Sequence, residues 1–170
     1  MLIAVVVGNP KAQSRTLTAA AAVSDAIAAG LPGQPEILTV DLADVAGRLF
    51  DWNDKEVADL NAAVAAADVL VAASPTYKAT YTGLLKAFLD RYGNNGLAGV
   101  TAVPLMVGAA PIHALAPELH LRPLLIELGA SVPSRGLYVM EQQLEDLGGV
   151  VAKWAETAVP LIAKVVGPGR

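Results

Sequence analysis

Runs of β-branched and other apolar residues recur along the chain at Leu2–Val7, Glu36–Val40, Val69–Ser74, Val100–Val107 and Ser131–Val139. Several are apolar at consecutive rather than alternate positions, as in strands buried on both faces of a parallel sheet. Between them lie segments with helical patterning: Ser14–Ala29, Lys55–Ala67, Thr80–Tyr92 and Ala114–Leu128. A last helix is predicted from about Gln142 to Val166. Strand and helix therefore alternate, which predicts an α/β three-layer sandwich with helices on both faces of a parallel sheet. Five strands point to the order 2-1-3-4-5. Two departures stand out. Asp41–Asp54 has no clear period and is expected to be an irregular loop, whose Phe50 and Trp52 cover the domain or meet a partner; their size favours packing. Pro123 lies inside a helical segment and is expected to kink or break it.

Composition narrows the function classes. Of 170 residues, 54% are hydrophobic and 16% charged, too apolar a mixture for disorder. No linker, repeat or compositional break divides the chain, so one domain over residues 1–170 is expected, with a frayed Gly-Pro-Gly-Arg tail. A net charge of −4 gives no sign of a nucleic-acid or anionic-membrane partner. The lack of cysteine excludes disulfides and thiolate chemistry, and two histidines make a histidine-rich metal site a poor expectation. Mean hydropathy is +0.49, which raises the question of a membrane. A long stretch without Asp, Glu, Lys or Arg, Asn94–Pro117, is broken by Pro104, Gly108, Pro111 and His113 and does not read as a spanning helix. The opening MLIAVVVGNPK lacks a basic leader segment. A cytoplasmic protein is expected, with part of its apolar surface buried in an oligomer.

In a doubly wound sheet, ligands bind beyond the carboxyl ends of the strands. Three loops leave such ends: Gly8–Thr16, Pro75–Tyr81 and Gly108–His113. In the order 2-1-3-4-5 their strands are neighbours, so the loops should share one crevice. In the first, Ser14 is a good N-cap and the helix start offers free N–H groups and partial positive charge, which suit a phosphate. Ser14 and Thr16 add hydroxyls, and Lys11 or Arg15 adds charge. The competing reading is a capped helix with a solvated arginine. Neither G-x-x-x-x-G-K-[ST] nor G-x-G-x-x-G is present, so a terminal phosphate fits better than a pyrophosphate. The second loop crowds Thr76, Tyr77, Lys78, Thr80 and Tyr81 together, either against a ligand or as an ordinary turn with Tyr81 toward the core. The third is small and apolar, which lets a flat ring approach closely. His113 caps or orients that loop; His120 has no evident partner. There is no G-x-S-x-G elbow and no Ser-His-Asp pattern, so hydrolase chemistry is not indicated. Asp25, Asp59, Asp68 and Asp90 read as solvated surface.

The three segments GNPKAQSRT, SPTYKATYTGLLKAFLDRYG and VGAAPIHALAPELHLRPLLIELGA resemble the NAD(P)H-dependent FMN reductases, in particular those serving two-component sulfonate monooxygenases. The resemblance runs from Met1 to about Gln143. It implies a flavodoxin-like fold and hydride transfer from NADPH or NADH to FMN. By its pattern, Ser14, Arg15 and Thr16 hold the FMN phosphate. Pro75, Thr76, Tyr77 and Lys78 border the isoalloxazine, and Gly108 and Ala109 meet its pyrimidine side. Two departures are Asn9, where many members have Ser, and Ala109, where many have Gly or Ser. It also implies a homodimer or homotetramer with the helix after His113 between subunits, in some members carrying a π-turn, and a flavin-dependent monooxygenase as partner. The same fold accommodates two other readings: a quinone, azo-dye or metal-oxyanion reductase with tightly held FMN, and a flavodoxin-type electron carrier.

Overall fold

A computed structural model describes residues 1–167; the expected tail beyond Gly167 lies outside the described residues. Five strands, β1 (Leu2–Val7), β2 (Glu36–Asp41), β3 (Val69–Pro75), β4 (Thr101–Gly108) and β5 (Leu137–Met140), form one sheet ordered β2-β1-β3-β4-β5, all parallel. This is the flavodoxin-like α/β arrangement that the alternation predicts. Because successive side chains point to opposite faces, each strand feeds two cores. Ala4, Val6, Leu70, Ala72, Ala102 and Met106 face one way, toward α2 (Lys55–Ala65), α3 (Gly83–Leu89) and α4 (Arg122–Glu127). Ile3, Val5, Val69, Val71, Val103 and Leu105 face the other, toward α1 (Arg15–Gly30) and α5 (Leu147–Val166). The two outer helices approach so closely that a Cβ on Gly30 would lie 2.2 Å from Val159 Cγ1. Among the described residues no helix is long and apolar enough to cross a membrane.

Side-chain hydrogen bonds move several elements from their predicted bounds. The predicted fifth strand, Ser131–Val139, shrinks to β5, with Ser131 making one isolated bridge to Thr101. Pro133 has no N–H to give a ladder. Instead the Arg122 guanidinium donates to Val132 O at 2.6 Å and to Ser134 O, while Glu118 Oε1 accepts from the Gly136 N–H at 2.6 Å. Burial pushes the Glu118 carboxyl up, but the bonds from Arg122 and Gly136 and the Arg122 charge outweigh it and leave it below its ordinary value. The predicted helix Ala114–Leu128 is two pieces, a π-helical turn at Pro117–Leu121 and α4, preceded by a 3-10 turn at Pro111–His113. The Arg122 N–H reaches back five residues to Pro117 O. Pro123 then sits in the first turn of α4, where a missing N–H costs nothing, so the break lies upstream of it.

The predicted loop Asp41–Asp54 contains a 3-10 helix, Leu42–Arg48, capped by Asp41. Its core positions are taken by Leu42, Val45 and Leu49. Phe50 and Trp52 do not pack inside; they are 81% and 64% exposed. Arg91 holds this stretch by donating to Leu49 O and Asp51 O, with its guanidinium 5.2 Å from the Trp52 ring centroid. Asp68 is also more than surface, since its carboxylate accepts from the Leu2 N–H at 2.7 Å. The last predicted helix begins later, at Leu147 with Asp146 as its cap, after a 3-10 turn over Glu141–Asp146.

Candidate functional site

The first loop is built on Gly8. Its N–H donates to Ala73 O at 2.8 Å, which extends the β1–β3 ladder one step. Its carbonyl accepts from Thr82 Oγ1, the same oxygen that caps α3 through the Leu85 N–H. A Cβ on Gly8 would fall 2.4 Å from Leu85 Cβ, so only glycine lets the loop and α3 meet. Beyond it Asn9 Oδ1 accepts from the Lys11 N–H, and Asn9 Nδ2 donates to Thr16 Oγ1 at 3.1 Å. Gln13 adopts φ 50°, the left-handed region that non-glycine residues rarely occupy, and its N–H donates to Asp41 Oδ2. The chain then enters α1 with Ser14 as N-cap, its Oγ accepting from the Leu17 N–H at 3.2 Å. The N–H groups of Arg15 and Thr16 have no carbonyl four residues back within the helix and point out of its end.

This helix start opens onto a cavity of about 230 Å³ with mostly polar walls. Lys11, Gln13, Ser14, Arg15 and Thr16 line one side, and Pro75, Tyr77 and Val107 another. Glu141 closes it from the end of β5, its Oε2 3.1 Å from Arg15 Nη1. Two cations, two hydroxyls and an α-helix N-terminus form a donor set suited to a phosphate monoester. The Ser14 and Thr16 oxygens are nearly buried and already accept one bond each, which leaves each O–H proton to donate.

The second loop is a tight hairpin. Tyr77 and Thr80 exchange both backbone hydrogen bonds, at 2.9 and 3.2 Å, around Lys78 and Ala79. Both central residues have positive φ, 51° and 70°, the requirement of a type I′ turn, here met without glycine. Ser74 and Thr82 lock its base, with the Thr82 N–H donating to Ser74 Oγ at 3.0 Å. The helix predicted from Thr80 therefore begins only at Gly83. The turn presents Tyr77, 51% exposed, to the cavity, and Lys78 is not among the residues that line it.

Thr76, Gly108 and Ala109 sit beside this cavity rather than on it. The Thr76 N–H donates to Val107 O, and its hydroxyl is buried next to that of Tyr138, short of full hydrogen-bond geometry. A Cβ on Gly108 would lie 2.2 Å from the Tyr138 hydroxyl, so the glycine makes room for that phenol. Tyr138 donates to Ala110 O at 2.8 Å and pins the third loop. Burial raises this phenol above its ordinary value, so it stays protonated and able to donate. Ala109 is exposed at the loop tip. A second, largely apolar cavity of about 350 Å³ is lined by Tyr138 together with Pro111, Met140 and Trp154. His113 closes the third loop's 3-10 turn, and neither histidine lines the polar cavity. Among the described residues no cluster of three or more His, Asp and Glu could hold a metal.

Three residues at this rim escaped the sequence reading: Asp41, Tyr138 and Glu141. Asp41 and Glu141 stand at the exits of β2 and β5, and strand ends in one parallel sheet meet at one edge. That rule alone points to Asp41 and Glu141.

Comparison with known proteins gives a consistent picture. The FMN reductase (NADPH) of Escherichia coli (strain K12) is 38% identical over 80 residues, 47% of this chain and 42% of that protein, so the matched stretch spans less than half of that relative. The NADH-dependent FMN reductase SfnF of Pseudomonas putida is 31% identical over 141 residues, 80% of this chain and 75% of that protein. The crystal structure of the apo form of an NADH:FMN oxidoreductase (EMOB) superposes with a TM-score of 0.78 at 27% identity, covering 92% of this chain and 89% of that one. The model of the NADPH-dependent FMN reductase family matches residues 1–145, which include the loops Gly8–Thr16 and Pro75–Tyr81, and this chain belongs to that family.

Proposed function

We propose that this chain catalyses reduction of FMN by NADPH or NADH and releases the reduced flavin to a flavin-dependent monooxygenase. The observation that carries this reading is the polar cavity at the start of α1, with Pro75 and Tyr77 on its opposite wall. Ser14, Arg15, Thr16 and the first N–H groups of α1 hold the phosphate. Pro75, Thr76, Tyr77 and Lys78 border the ring, and Gly108 and Ala109 meet its pyrimidine edge. FMN, when bound, supplies the hydride-accepting chemistry, while the protein binds and orients. Backbone N–H groups of the second and third loops stabilise negative charge at the ring edge. The third loop carries no aromatic residue, so one face of the ring stays open to a nicotinamide. Purified protein should consume NADPH or NADH only with FMN present, followed by nicotinamide absorbance. Failure to bind FMN at micromolar concentration would sink this reading. A flavin that never exchanges with free FMN would instead mark a prosthetic group, as in the quinone-reductase alternative.

The same reading includes self-association. Ile112, Leu115, Leu119 and Ile126 are 83%, 52%, 63% and 52% exposed along the broken helix, more apolar surface than a lone subunit usually shows in one stretch. Burial between copies gives this segment a partner. Sedimentation should report a dimer or tetramer, and Leu119→Asp should shift it toward smaller species. A wild-type monomer throughout the micromolar range would exclude that assembly.

A further inference from the structure

The cavity that suits an anion contains an anion of its own. Glu141 is the first residue past β5, and β5 is held by its ladder to β4, with Met140 opposite Gly108. The turn that follows is fixed by the Met140 N–H donating to Gln143 Oε1 at 2.9 Å. The Glu141 backbone is thus set at the rim by the sheet. Its carboxylate meets Arg15 Nη1 at 3.1 Å, a contact between residues 126 apart in sequence. Both side chains are well exposed, 65% for Arg15 and 41% for Glu141, so the pair adds little to the fold. Its consequence falls on whatever anion enters the cavity.

We propose that Glu141 is an internal competitor for the FMN phosphate, setting a weak grip that lets the flavin leave as product. This rests on the reading of Arg15 as a phosphate ligand. An incoming phosphate must take the guanidinium from the carboxylate, or share it and sit near a like charge. Either route lowers affinity for FMN and leaves riboflavin, which has no phosphate, unaffected. Glu141 is therefore an affinity-determining residue on the opposite wall from the loop that binds. A residue that merely aimed Arg15 at the phosphate would have the opposite effect when removed.

The test is Glu141→Gln, which keeps the size and removes the charge. FMN and riboflavin dissociation constants are measured by flavin fluorescence at low and high salt. Glu141→Gln should bind FMN about tenfold tighter at low salt, release it more slowly, and bind riboflavin as the wild type does. The gain should shrink as salt screens the repulsion, because the site is open to solvent. In an Arg15→Ala background the same substitution should give a smaller gain, since the contested cation is gone. An unchanged or weaker FMN affinity in Glu141→Gln would overturn the proposal. Wild-type protein that binds FMN no better than riboflavin would instead overturn the phosphate reading beneath it, so the two failures are distinguishable.

Discussion

Arg15→Ala weakens FMN by about tenfold or more and leaves riboflavin within about twofold. A hydrogen bond between guanidinium and phosphate is charge-assisted and contributes about 1.5–3 kcal/mol when well formed. Arg15 is 65% exposed, which places the direct loss near the lower end of that range. Ser14→Ala should also weaken FMN, but it costs about 1 kcal/mol of stability as well, since Ser14 Oγ caps α1. The comparison with riboflavin separates the two losses: the capping defect touches both ligands, the phosphate contact only one. Equal loss of both flavins in Arg15→Ala, measured by fluorescence titration, would mean that the phosphate binds elsewhere.

The largest effect on the fold comes from a residue with no side chain. Gly8→Ala forces a Cβ to 2.4 Å from Leu85 Cβ and within 3.1 Å of the backbone of α3. The neighbour is a short, capped helix, so it must retreat as a body. That retreat opens the Thr82 hydroxyl bond to Gly8 O and spoils the packing of Leu85, which is fully buried. The expected cost is about 3 kcal/mol, at the upper end for overpacking a tight core. Gly83→Ala is the control. It stands at the start of the same helix with nothing within 4 Å of its Cβ, and should be neutral or slightly stabilising. Urea midpoints of the two variants measure the contrast, and similar midpoints would show that α3 yields without resistance.

The sheet was legible because its information is local. β1, β3 and β4 are runs of consecutive apolar residues, and burial on both faces is what such runs require. The start of α1 was legible because Ser14, a good N-cap, stands directly before the helical pattern. Errors appear where a distant side chain replaces a backbone bond. Nothing local in Ser131–Gly136 shows that Arg122 and Glu118 will take its carbonyls and N–H groups. Nothing in Lys78-Ala79 predicts two left-handed residues; the turn follows from the locked Ser74–Thr82 base. Phe50 and Trp52 look like core residues by type, but Leu42, Val45 and Leu49 already fill the space below them. Glu141 reads as one more surface acid until the sheet brings it opposite Arg15.

That ion pair also forms late in synthesis. During synthesis Arg15 and the strand before it emerge early, whereas Glu141 follows 126 residues later on the edge strand that completes the sheet. Domains generally fold as units, and α1 buries its inner face against α5 from the far end of the chain. Both walls of the cavity therefore form only once β5 and α5 have been made, and the cation and the carboxylate that holds it arrive together.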